Sequence, residues 1–203
     1  MRYLLSFFVG VLLSASLYAQ SAGDKRSSFS VHAGPSWYLG RFVGITDRAD
    51  TYRSDLRKGV AWDVKFGLGF LYQGSAYKNT HDTGADKIYM HYMAPQVALT
   101  MVQKHYQLQF SGGIGYQLYR DKSTVYDKPR KVTMSKFAGN LSLSGEYFLS
   151  SHWGASARVN WLASSSESYS VKYHNVEWDV ESPRAGSGYF GQLSLLFGLN
   201  YHF

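Results

Sequence analysis

The chain ends on "LSLLFGLNYHF", residues 193 to 203, in which Leu193, Leu195, Phe197, Leu199, Tyr201 and Phe203 fall on one face and Ser194, Leu196, Gly198, Asn200 and His202 on the other. A repeat of two belongs to a β-strand, whose successive side chains point to opposite faces, and it is incompatible with an amphipathic helix. The pattern recurs upstream. Tyr106, Leu108, Phe110, Ile114, Tyr116 and Leu118 alternate with Gln107, Gln109, Ser111 and Gln117. Phe137, Leu141, Leu143, Tyr147 and Leu149 alternate with Lys136, Asn140, Ser142 and Glu146, and the stretches around 29–39 and 153–161 read in the same way.

Alternation alone also suits a soluble sandwich with its apolar face turned inward. Length argues otherwise, because these stretches run to about ten residues or more, where ordinary strands average about five or six and membrane-spanning strands need about 9–11. Aromatic residues make up 17% of the chain, charged ones only 17%, and the rings gather near strand ends, at Trp37, Tyr116, Tyr147, Trp153 and Tyr201 among others. Such rings suit the two interfaces of a bilayer, so the greasy face is expected to meet lipid.

The first residues, "MRYLLSFFVGVLLSASLYA", have a basic start at Arg2, an apolar stretch and a small-residue end. This is the pattern of a cleaved secretory signal over residues 1–19, leaving 20–203 as one domain. Its loss takes the formal charge from +7 to +6, Arg2 being the only charge removed. No Cys is present, which excludes disulfide frameworks, Cys-based zinc sites and lipid anchoring through Cys.

Seven alternating stretches are plain, near 29–39, 57–79, 88–101, 106–119, 135–149, 153–164 and 189–203. The second is too long for one span and is divided at Gly67-Leu68-Gly69, giving eight strands; the alternative places the missing strand at "RFVGIT", Arg41 to Thr46. Val102 to His105 and Ser150 to His152 read as tight turns, whereas 41–56, 121–133 and 165–187 read as long polar connections. Short turns on one side and long loops on the other predict an all-β, eight-stranded antiparallel up-and-down transmembrane barrel with both chain ends on the periplasmic side.

With a signal sequence, strands "GGIGYQLY" and "GEYFLSSHWGASARVNW" meeting tight turns, and the terminal "LSLLFGLNYHF", the chain resembles the small outer-membrane β-barrel family of Gram-negative bacteria, the eight-stranded class. The resemblance implies residence in the outer membrane, contact with its lipid and lipopolysaccharide, and a terminal signal, Leu199, Tyr201 and Phe203, read by the barrel-assembly machinery. It implies fold and place more than activity.

A barrel of eight strands is filled by its own side chains, so an interior polar network is expected from Glu146, Arg158, Asp63, Lys65, Lys136 and His32, with Ser144 opposite Arg158 and Glu146 its diagonal neighbour. Basic residues at Arg120, Lys122, Lys128, Arg130 and Lys131, joined by Arg41, Arg48, Arg53, Arg57 and Lys58, suit the phosphates of lipopolysaccharide. An exported barrel gives this positive charge no specific use on nucleic acid. The function expected is structural or loop-mediated: envelope integrity, adhesion or contact with an extracellular ligand. The alternatives are a lipid A-modifying acyl transferase or deacylase, which would place a His beside a Ser and a carboxylate, and a small porin-like channel. No His-x-Ser-Asn run occurs, and His32 reads as a packed polar residue near Ser30 and Ser36. No catalytic residue, metal site or cofactor is assigned, since "HDTGAD" at 81–86 lacks the distal Glu of a calcium loop.

Overall fold

An alternating strand leaves its backbone N–H and C=O groups pointing sideways, and in lipid every one of them must find a partner in another strand. The computed structural model describes residues 28–39, 58–67, 69–81, 84–165, 168–174, 176–181 and 189–203. The expected signal at 1–19, "RFVGIT" and the arginines at 41, 48, 53 and 57 lie outside these residues. Eleven strands form: β1 (Ser28–Tyr38), β2 (Gly59–Phe66), β3 (Phe70–His81), β4 (Gly84–Pro95), β5 (Val97–Val102), β6 (Tyr106–Val125), β7 (Lys128–Phe148), β8 (Trp153–Ser165), β9 (Ser168–Tyr173), β10 (Val176–Glu181) and β11 (Tyr189–His202).

Eight walls build the barrel, because β4 and β5 are one wall, and β9 and β10 stand outside the ring. Pro95 has no N–H to give the ladder and interrupts that wall. The register against β6 is unchanged across the break, with Met93 opposite Tyr116 and Val97 opposite Gly112. The ring closes where β1 meets β11 antiparallel, Phe29 opposite Tyr201 and Val31 opposite Leu199. Closure removes both open edges, which a sheet in lipid cannot leave exposed.

The second and third strands do divide at Gly67 to Gly69. Phe66 pairs with Phe70, and Gly67 has φ +54°, a left-handed conformation that costs an L side chain about 1–2 kcal/mol. The alternation in sequence runs through this turn unbroken because the two partners are four residues apart and therefore share a face. Only the glycine betrays the reversal.

The expected long loop at 121–133 is not a loop. β6 and β7 stay paired up to Val125 opposite Lys128, and Tyr126 and Asp127 make a two-residue turn with φ of +49° and +60°. The polar, charged residues mark a hairpin that has left the membrane, where both faces meet water or headgroups. Within 165–187, β9 and β10 form a second hairpin, which joins the upper part of β7 where β8 leaves it: Gly139 pairs with Ala163, whereas Thr133 pairs with Ser170. The tight turns at 102–105 and 150–152 stand as expected, the latter closed by Leu149 N to Trp153 O at 2.8 Å. Short turns and the paired ends of β1 and β11 thus share one side, and the long hairpins project from the other.

Outward positions are apolar across the middle of the wall, as at Ile114 (72% exposed) and Phe137 (74%). Inward, the half of the barrel toward the hairpins holds a cluster of Tyr38, Tyr77, Ile88, Met90, Tyr119 and Met134. Leu71, Tyr92, Ala94, Ala138 and Leu162 pack near the waist. The opposite half is polar.

Candidate functional site

Two places gather chemistry-bearing side chains: the polar half of the lumen and the outward face of the projecting sheet. In the lumen, period-two strands aim every second side chain inward, and those that are polar must satisfy one another. Ser144 lies opposite Arg158 in register, yet the guanidinium does not turn to Glu146. Arg158 Nη1 donates to Asp63 Oδ2 at 2.7 Å from the far wall, and both groups are almost fully buried. Glu146 accepts instead from His202 Nε2 at 2.6 Å and from the Gln107 amide. Lys65 donates to Gln109 Oε1. Asn140 is held by Gln96, Tyr92 and Asn160 at 2.9, 3.0 and 3.0 Å. Lys136 sits at the fork where β8 and β9 part, its Nζ donating to Ser168 Oγ at 2.7 Å.

His32 lies between residues that its own strand could not reveal. Its Nδ1 is 2.7 Å from Asp63 Oδ1 and its Nε2 is 2.7 Å from Ser156 Oγ, an order of groups like that of a serine hydrolase triad. The rest of the chemistry differs. Ser156 Oγ donates to Asn200 Oδ1 at 3.1 Å, and since a hydroxyl has one hydrogen, it accepts from His32 rather than yielding a proton to it. Asp63 is shared with Arg158, and the void beside Ser156 measures about 20 Å³, room for a single water rather than an acyl chain. The arrangement reads as packing of the polar half. Among the described residues no group of three potential metal ligands occurs.

On the projecting sheet, the basic residues at 120–131 separate by face. Arg130 turns inward, where Nη2 lies 3.4 Å from Asp86 Oδ1 and 3.3 Å from Asp121 Oδ2, and Nε donates to Ser123 Oγ at 2.8 Å. Nearby, burial pushes the Tyr169 phenol above its ordinary pKa, with the Arg130 charge acting against the shift. Arg120, Lys122 and Lys131 point outward and are exposed, whereas Lys128, exposed at the tip, shares the face of Arg130. Register extends this set with lysines that sequence spacing does not single out: Lys87 lies opposite both Lys78 and Lys122, and Lys131 opposite both Lys122 and Lys172. Below them a cavity of about 710 Å³, bounded mainly by outward side chains, contains Tyr89, Arg120, Lys122, Lys136, Ser168 and Asp179 in its walls.

At the opposite end, Leu199 (53% exposed) and Phe203 (71%) face outward. Tyr201 packs against Trp153 and Phe203 with ring centroids 5.0 and 5.2 Å apart. His91 lies on the outer face, with Nδ1 2.8 Å from the Tyr72 hydroxyl.

No protein-family model and no curated protein sequence matches the chain. Solved structures do match its fold. A major outer membrane protein from Thermus thermophilus is 12% identical, covering 87% of this chain and 99% of that one, with a TM-score of 0.53. Neisserial surface protein A is 12% identical, covering 86% and 97%, with a TM-score of 0.51. The chain therefore has the fold of the small eight-stranded outer-membrane β-barrels, as its lipid-facing belt and closed ring require.

Proposed function

We propose that this outer-membrane barrel is a non-conducting, non-enzymatic scaffold that holds a sheet of projecting strands outside the membrane for contact with other surfaces or ligands. The observation that carries the reading is the division of the molecule. The lumen is occupied by an apolar cluster stacked on a hydrogen-bonded polar layer, with Ile88 and Leu196 fully buried and Tyr92 1% exposed, and a small barrel so filled leaves no water column. The wall beyond the belt continues as paired strands, β6 and β7 reaching 20 and 21 residues, about twice what a membrane crossing takes. Rigid strands outside the bilayer present side chains at fixed spacing, which favours recognition over simple anchoring.

The experiment compares cells producing the parent barrel with cells producing one in which the tip, 124–129, is replaced by a tight Asn-Gly turn that leaves Ser123 opposite Arg130. Adherence to epithelial monolayers and survival in detergent are measured together. Lost adherence with unchanged survival is the expected result. Unchanged adherence with lost survival would assign the barrel to envelope integrity alone.

A further inference from the structure

Across the strands rather than along them, the register lines up Lys78, Lys87, Lys122, Lys131 and Lys172 in one transverse row over β3, β4, β6, β7 and β9. Each is exposed, and directly opposed residues share a face. At about 4.8 Å between strands, five positive charges occupy roughly 19 Å. The described residues offer them little: among these residues none of the five has an ion pair, and the row meets its first acid only at the far edge, where Glu177 lies opposite Lys172. Like charges placed directly opposite destabilise a sheet, a cost that an anionic ligand would offset.

The next row toward the membrane holds Tyr89, Arg120, Thr133 and Ser170, matched by the same pairings, and its side chains wall the 710 Å³ cavity. The row after that contains Leu118 and His91, followed by Tyr116 opposite Phe137. Four residues from Leu118 to Lys122 span about 13 Å along the strand, or about 10 Å along the membrane normal at a tilt near 40°. Cations therefore begin where the acyl region gives way to headgroups.

We propose that this row and the cavity beneath it bind a membrane lipid carrying more than one phosphate, the phosphates bridging the lysines and Arg120 while the acyl chains lie along Leu118, Tyr116 and Phe137. Phosphate is favoured over carboxylate because each group offers several strong acceptor oxygens to ammonium groups carried on strands about 4.8 Å apart. An amphiphile is favoured over a free anion because the lysine row leads, through a row with Arg120 as its one cation and Asp179 at its far edge, into the lipid-facing belt. The inference is independent of the adhesive reading, since it uses the side of the projecting sheet and not its tip.

The test uses the full barrel, refolded in zwitterionic detergent and transferred to phosphatidylcholine nanodiscs. Diphosphoryl lipid A, monophosphoryl lipid A, its dephosphorylated form and inorganic pyrophosphate are titrated in turn, at low salt and at about 0.5 M, where exposed charges are strongly screened. The parent should bind the diphosphoryl lipid at least tenfold more tightly than the monophosphoryl one, lose most of that preference in high salt, and bind pyrophosphate far more weakly. The variant K87Q/K122Q/K131Q should lose the preference, and without lipid A its thermal midpoint should be equal to or above the parent's, since the mutual repulsion is gone. A variant at the periplasmic turn, K104Q, should match the parent. Binding that ignores phosphate number, binding unchanged in the triple variant, or pyrophosphate binding as tight as the lipid's would each overturn the proposal. Heat-dependent gel mobility confirms that every variant is folded.

Discussion

Arg158 reaches across the lumen from β8 to place Nη1 2.7 Å from Oδ2 of Asp63 on β2, both side chains buried. Asp63 also anchors His32 at 2.7 Å, so one carboxylate ties three walls together. Removing it strands a buried guanidinium, which costs about 3–5 kcal/mol. Asp63→Asn should lower the urea midpoint of the refolded barrel accordingly. Asp63→Leu with Arg158→Met, which removes both charges, should recover most of the loss. A midpoint for Asp63→Asn within error of the parent would show that the pair holds nothing.

The projecting hairpin turns on Tyr126 and Asp127, both at positive φ. Asp tolerates that region; a bulky Tyr does not, and two-residue turns of this kind favour Asn-Gly. Tyr126→Asn with Asp127→Gly should steady the tip by about 1–2 kcal/mol. Limited trypsin digestion reads this out at Arg130 and Lys131, the first basic residues after the turn that are not followed by proline, where cleavage should slow several-fold. Faster cleavage would mean the turn is held by contacts of the Tyr126 ring.

Phe203 is largely exposed and touches Tyr201 edge-on at 5.2 Å. Its packing is worth about 0.5–1.5 kcal/mol, so a barrel lacking it should refold in detergent almost as stably as the parent. In cells the same deletion should cut the amount of heat-modifiable barrel several-fold if the residue is read during assembly. Equal losses in both settings would reduce Phe203 to a packing residue.

The barrel was legible in sequence because period-two alternation is a local signal, and lipid on the outside makes it unusually clean from Leu193 to Phe203. What lay beyond reach was register. Arg158 has a near neighbour in Glu146 by sequence spacing, yet its partner comes from a strand 95 residues away. His32 meets Ser156 at a separation of 124, which no spacing rule predicts. The hairpin at 121–133 was obscured because a strand that leaves the membrane turns polar on both faces and loses its alternation. Once the turn at Tyr126 and Asp127 is known, Lys122 and Lys131 fall opposite each other by simple counting, and the lysine row follows from the remaining pairings.

A scaffold that works from its outer surface needs a closed lumen, and planar-bilayer conductance of the heat-modifiable barrel tests that requirement. In KCl at about 1 M, where screening lengths fall to about 3 Å, insertion without reproducible conductance steps is the predicted result. Stable ohmic steps that change in Asp63→Asn, whose side chain lies inside the lumen, would contradict it.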